Sequence, residues 1–288
     1  MKKIILAIVL FAGITTLTYG DVLTQVLKEG AGVRAFSMGS AFTAVAQGPE
    51  TLLFNPAGLG DVGATYRFEQ YDNNGLLHTD YSAHLIAIGP FGVTRIRNQD
   101  LNGNTAELTA FGFGKRGNKG IDWGVNVKNV RQLGGPEGWS SDVGILVRFT
   151  PNIQFGFTGV DLFQSGLKVS PTARAGIALF TPARDFVLAS DISFDQQPSL
   201  SYALRFGIDY QISDGLSLRC GWTNHAMTYG IGLRTPFLDM DYGVANHPGS
   251  GLVYLLSFKF GDEDRPRPNR YTSISRDCSG IIRPRWLS

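Results

Sequence analysis

The sequence is short of charge. Only 17% of its 288 residues are Asp, Glu, Lys or Arg, against about a quarter in soluble domains, which leaves little with which to build a fully water-facing surface. The balance of signs is even. Removing Lys2 and Lys3 with the leader described below leaves 24 basic residues against 24 acidic ones, so the basic footprint of a nucleic-acid binder is missing. Two cysteines exclude a disulfide scaffold and a four-cysteine zinc site. Cys220 falls in a strand and Cys278 in the tail, and both are expected to be unpaired. Beyond residue 20 no run of about 18 apolar residues occurs, which excludes a helical membrane protein. Glycine is in excess, at 36 residues, but without the Gly-X-Y period of collagen.

What is present begins with a leader. Met1-Lys2-Lys3, an apolar run from Ile4 to Leu17 and then Thr18-Tyr19-Gly20 read as a signal peptide cut after Gly20. From Gly63 onward apolar and polar residues alternate with period two, each run ending in Gly, Pro, Asn or Asp. In Leu200 to Ile212, for example, Tyr202, Leu204, Phe206, Ile208, Tyr210 and Ile212 share one face. The runs predict fourteen strands at 63–71, 77–88, 91–98, 104–114, 120–131, 139–149, 152–162, 172–181, 184–194, 200–212, 215–223, 226–234, 237–246 and 251–260. Tight connections such as Gly89-Pro90, Thr150-Pro151 and Thr235-Pro236 alternate with longer, polar ones. A soluble β-sandwich also alternates, but it needs charge on its outer face. Here the polar faces carry isolated charges among Gly, Ala and Ser, and aromatics such as Tyr66, Trp123, Phe149, Trp222 and Tyr254 gather near strand ends. Such girdles, with strands of this length, predict a closed transmembrane antiparallel β-barrel.

The polar faces place Arg67, Glu69, Asp80, Lys128, Arg148, Arg174, Asp191, Arg205, Asp209, Arg219, Arg234, Asp239, Asp241 and Lys259 in the lumen. Their mixed signs favour ion pairs over the single-sign ring of a selective pore. The last strand presents Tyr254, Leu256, Phe258 and Phe260 in one lipid-side row. It resembles the terminal strand recognised by the barrel assembly machinery, and an Arg- and Pro-rich tail, 261–288, follows it as a flexible periplasmic segment.

Residues 21–62 have a different logic. Met38, Ala41, Phe42 and Val45 lie at helical spacing, Pro49 opens a second short turn through Phe54, and Asn55 precedes Pro56 in a position to cap the next turn. Side chains fill the interior of about eight strands, so a fourteen-strand lumen needs another occupant. A helical hatch within the barrel is expected.

Two stretches carry a family resemblance. Gly32 to Ala46, including Arg34, Met38 and Phe42, and Leu53 to Leu59, including Asn55, Pro56 and Gly58, resemble the N-terminal signature of the PorV/PorQ group in the FadL-like outer-membrane superfamily. Leu238 to Ala245 and Tyr254 to Phe260 are similar to its last two strands. The resemblance implies a fourteen-strand barrel with its N-terminal segment folded inside. It also implies either passage of hydrophobic molecules or, in the PorV branch, a non-enzymatic adaptor role in type IX secretion and surface attachment. The expected partners are outer-membrane lipid, the assembly machinery, and a secretion translocon or a hydrophobic solute. The barrel is expected to be monomeric, in the bacterial outer membrane, without cofactor or metal.

Two G-x-G-x-x-G matches, at Gly58 to Gly63 and Gly112 to Gly117, lack the strand–turn–helix context of a phosphate loop. His78 and His84 are placed on one polar face about 20 Å apart, too far to share a metal. Asp80 beside them leaves an outer-membrane hydrolase as the weakest alternative, with no serine in a nucleophile context.

Overall fold

Fourteen antiparallel strands close on themselves, each paired with its sequence neighbours and β1 with β14. The computed structural model describes residues 31–73, 81–99, 103–167, 169–197, 199–223, 226–247 and 251–261. The strands are β1 (Thr65–Asn73), β2 (Tyr81–Ile88), β3 (Phe91–Gln99), β4 (Thr105–Lys115), β5 (Ile121–Gln132), β6 (Glu137–Thr150) and β7 (Ile153–Ser165). They continue as β8 (Thr172–Phe180), β9 (Phe186–Gln197), β10 (Ser199–Ser213), β11 (Leu216–Thr223), β12 (Met227–Arg234), β13 (Asp239–His247) and β14 (Gly251–Gly261). All fourteen fall where the alternation put them, and closure removes the sandwich alternative. The signal peptide and the tail beyond Gly261 lie outside the described residues.

Alternation sets the two faces. On β10, Tyr202, Phe206, Tyr210 and Ile212 are exposed on the outer wall while Asp209 is buried inside. On β14, Leu252 and Phe260 are exposed while Ser257 and Lys259 are buried. The start of β1 and the end of β14 meet, Thr65 opposite Gly261, at the end that also carries the tight turns; we call this the turn end. The opposite, loop end has connections of uneven length: residues 74–80 lie between β1 and β2 and residues 166–171 between β7 and β8, but only residues 133–136 between β5 and β6 and residue 198 between β9 and β10.

Inside the barrel lie α1 (Val33–Ser37), α2 (Thr51–Phe54) and a 3-10 helix (Pro56–Asp61). The expected helix through Met38, Ala41, Phe42 and Val45 does not form. Gly39, Ser40, Ala46 and Gly48 all have positive φ, which breaks the helical path. The Phe42 and Thr43 amides bond to the barrel wall instead of to the preceding turn. The four apolar side chains are nonetheless fully buried, so the stripe marked burial and not helix. The second turn and its cap form as expected: Asn55 is extended before Pro56, and its Oδ1 accepts from the Ala57 amide at 3.2 Å.

An outward apolar wall in lipid predicts depth-dependent sensitivity to charge. Ile208→Arg, at mid-height on β10, should destabilise the barrel by about 2–4 kcal/mol in lipid vesicles, and Ile212→Arg at the turn end by about 1 kcal/mol or less. Equilibrium urea unfolding of the two variants measures the difference, and equal losses would contradict the assignment of the belt.

Candidate functional site

The site is the lumen, and its first feature is a belt of glycines. Gly92 faces Gly112 across β3 and β4, Gly114, Gly124 and Gly144 are aligned across β4 to β6, and Gly156 faces Gly176 across β7 and β8. Gly207 faces Gly221 and Gly230 faces Gly243 further round. At these positions the hatch lies flat against the wall. A Cβ on Gly156 would overlap the Thr43 carbonyl, on Gly144 the Asn55 side chain, on Gly124 the Pro56 backbone, and on Gly221 the backbone of Met38 and Gly39. Gly58, within the hatch, is crowded in the same way by Ala46 and Thr51. Much of the glycine excess therefore serves close approach of two backbones.

The second feature is hydrogen bonding from wall to hatch. Glu69 on β1 accepts from the Gly32 and Val33 amides at 2.9 Å each. Asp191 on β9 accepts from Phe42 and Thr43 at 2.9 and 2.8 Å. Thr228 accepts from Gly39 and donates to the Ser37 carbonyl. Gln154 and Asn126 donate to the Ala44 and Leu52 carbonyls at 2.7 Å. Asn55 donates both to Thr43 within the hatch and to the Ile145 carbonyl of β6. Buried backbone groups without partners are costly, and the wall supplies those partners from the side.

Ion pairs form the third feature. Arg34 of the hatch meets Asp209 at 2.9 Å; Arg219 bridges Asp209 and Asp241 at 3.1 and 2.5 Å; Asp241 meets Arg67 at 3.0 Å, and Arg67 lies 3.6 Å from Glu50. Lys128 holds Asp142 and Asp161 at 2.7 and 2.6 Å. Nearer the turn end, Arg148 pairs with Asp122 and Asp61, and Arg234 and Lys259 share Asp239. Arg205 donates to Ser193 at 2.8 Å, and Arg174 is inward and buried. Each of the six lumen charges read from the sequence, Arg148, Arg174, Arg205, Asp209, Arg219 and Arg234, thus projects inward. Below the hatch four of them, Arg148, Asp209, Arg219 and Arg234, line a cavity of about 1250 Å³ at the turn end.

Asp61, Asp122, Asp142, Asp161 and Glu50 were not among the residues singled out from the sequence. Asp122 and Asp142 could have been found, since they keep phase with inward neighbours. Asp161 could not, because it turns inward at a register shift between β6 and β7 with φ 56°, where alternation fails.

The inner face from β2 to β4 is apolar where a polar one was expected, while β5 keeps its expected phase and adds only Val130 to that apolar face. Ala83, Leu85 and Ala87 of β2, Ile96 of β3, Ala106, Leu108 and Ala110 of β4 and Val130 of β5 all face inward. Together with Tyr81, Leu167 and Val169 they form one apolar cluster from the loop end down to Leu52 and Leu59 of the hatch. His84 consequently points outward, contrary to its assignment to a lumenal face. It lies against the Tyr66 and Phe68 rings, with Nδ1 2.9 Å from the Tyr66 hydroxyl. This position separates it from the lumenal carboxylates and removes it from the hydrolase alternative; His78 and Asp80 lie outside the described residues. Tyr254, Phe258 and Phe260 occupy the outer face of β14, where Tyr242 and Tyr66 stack on the first and last of them.

No protein-family model and no curated protein matches the chain. Solved structures do. The toluene transporter TodX of Pseudomonas putida superposes with a TM-score of 0.60 at 11% identity, over 81% of this chain and 98% of that one. The fold is that of the FadL-like outer-membrane channels. A FadL homologue of Pseudomonas aeruginosa gives 0.58 at 11% identity, and the toluene transporter TbuX of Ralstonia pickettii 0.57 at 12%, both over 81% of this chain and 98% of theirs. At such identities the FadL-like likeness is one of architecture.

The glycine belt makes a direct prediction. A Cβ on Gly92 would stand 2.9 Å from Leu59 Cδ2, so Gly92→Ala should destabilise the barrel by about 1–3 kcal/mol through overpacking. Leu59→Ala in the same chain should recover part of that loss, with a coupling energy of about 0.5–3 kcal/mol in a double-mutant cycle of denaturant unfolding. Strict additivity would show that hatch and wall do not touch there.

Proposed function

We propose that this protein is a non-enzymatic outer-membrane transport barrel for small hydrophobic molecules, closed at the hatch in the conformation described. The observation that carries this reading is the apolar inner sector of β2–β5, which leads from the loop end to Leu52 and Leu59. A general porin has a polar interior; here the apolar inner sector is packed shut with Leu52 and Leu59 of the hatch, and it lines an apolar path only when the hatch moves away from it. The solved structures of similar fold support the reading, since they include a monoaromatic hydrocarbon channel and two toluene transporters. In this reading residues 1–20 direct export, residues 21–62 form the hatch, residues 63–260 form the barrel, and the turn end faces the periplasm. Arg34, Met38, Phe42, Asn55, Pro56 and Gly58 seal the lumen, the inward charges fix the hatch in place, and Tyr254, Phe258 and Phe260 present the terminal strand to the assembly machinery.

A second reading, a PorV-like secretion or attachment adaptor, is favoured by the absence of any loop-end connection longer than the seven residues between β1 and β2. Connections of this length leave little material from which to build a capture site for solute. In that case residues 261–288 offer a periplasmic docking segment.

Uptake of radiolabelled toluene by cells separates the readings. Transport predicts slower uptake in a deletion strain, rescue by the wild-type gene, and no rescue by Leu108→Arg despite equal amounts of barrel in the outer membrane. Equal uptake with and without the gene overturns the transport reading. Loss of a co-purified translocon on removal of residues 262–288 would then support the adaptor.

A further inference from the structure

The outer wall of the same sector is apolar in its turn half, most extensively on β5 from Ile121 to Val127, and polar in its loop half. On β10 the outward apolar row from Tyr202 to Ile212 runs roughly 33 Å along the strand, near 25 Å of height after tilting, which matches a full lipid belt. On β3 the outward row is apolar only at Phe91 and Val93, then turns to Arg95 and Arg97; on β2 it is apolar at Ile88 and Ile86, then turns to His84. The apolar part of these rows covers about 10 Å along the strand. The cross-strand registers place Arg97 opposite Glu107 and Glu107 opposite Arg131, so the polar positions merge into one patch on the loop half of β2–β5.

Its chemistry is cationic and fully outward. Arg95 and Arg131 both reach Glu107, at 3.8 and 2.8 Å, while their side chains remain 64% and 50% exposed. Arg97 is exposed as well, and among the described residues no carboxylate is within ion-pair distance of it. Glu137, opposite Arg131 on β6 and bonded by Asn129 at 3.4 Å, borders the patch, so three guanidiniums stand against two carboxylates and one positive charge is left over. Acyl chains cannot cover such a surface without stranding those charges. A protein partner would bring an aromatic or aliphatic anchor to the centre of its interface, and this patch contains none. Phosphate groups fit: guanidinium pairs with phosphate through two parallel hydrogen bonds, and Thr109, between Arg95 and Asn129 in the cross-strand register, adds a hydroxyl to the patch.

We infer that the loop half of β2–β5 is a binding site for the phosphorylated head group of an outer-leaflet glycolipid, held by Arg95, Arg97 and Arg131. Head groups descend the wall at this sector, and the membrane beside the apolar lumen sector is thinned. The choice of leaflet rests on the orientation given under the proposed function; the phosphate chemistry does not.

The test uses the full chain purified in mild detergent. Diphosphoryl lipid A and phosphatidylglycerol are added separately, and bound lipid per barrel is read by native mass spectrometry for the wild type and for R95Q/R97Q/R131Q. Near a membrane surface each arginine contributes about a fivefold factor, so lipid A binding should fall roughly a hundredfold in the triple variant. R97Q alone should lose about fivefold, which guards against misfolding of the triple variant. Unchanged lipid A binding in both variants overturns the inference. So does a preference for phosphatidylglycerol, or a co-purified protein whose retention depends on the arginines while lipid A does not bind. The assay requires no transport, so its outcome is separate from that of the toluene experiment.

Discussion

A backbone without regular structure cannot be enclosed in a barrel unless something else bonds its amides and carbonyls. This constraint governs the whole interior. Residues 31–62 contain two short α-helices and one 3-10 helix, too little to satisfy their own polar groups. The wall therefore acts as their partner: Glu69 and Asp191 take pairs of amides, Asn126 and Gln154 reach carbonyls, and Thr228 does both. Side chains can do this only if the hatch runs close to the strands, and glycine at each point of closest approach allows it. The ion-pair chain from Arg34 through Asp209, Arg219 and Asp241 to Arg67 then joins the hatch to β1, β10, β11 and β13. Losing one member would leave its partners buried and uncompensated, which costs about 3–5 kcal/mol.

The barrel is not uniform around its circumference. From β10 to β14 it has a full outer apolar belt and a charged interior. From β2 to β4, and at Val130 of β5, the inner wall is apolar, and the loop half of the outer wall of β2–β5 is charged. A strand exposes two faces, and the polarity of each follows what it meets: lipid tails, a hatch backbone, an apolar passage or a head group. The inversion therefore locates the part of the wall where the surroundings change on both sides, and the passage and the lipid site are proposed in that one sector for this reason.

Much of this was legible in the sequence. Period two survives along most of each strand because one face meets an apolar neighbour, and Pro or Gly marks the tight turns, so the strand count followed directly. Asn55-Pro56 announced its cap by local chemistry alone. The apolar spacing of Met38, Ala41, Phe42 and Val45 was misleading because a segment packed on all sides buries its apolar residues whatever its backbone does. The β2–β5 sector was obscured by apolar residues on both faces, where a shift of one residue exchanges the walls and placed His84 inside. The glycine belt was invisible because it exists only across strands, in registers that no single strand encodes. Asp161 depended on a bulge.

The central claim is that the wall holds the hatch as firmly as it holds its own strands. Hydrogen exchange of the purified barrel, followed by mass spectrometry at the level of single amides, tests it most directly. The Gly32, Val33, Phe42 and Thr43 amides, bonded to Glu69 and Asp191, should exchange as slowly as the ladder amides of β9 and β10. Exchange of these four at the rate of an exposed loop would contradict the account and show a hatch that leaves the wall freely.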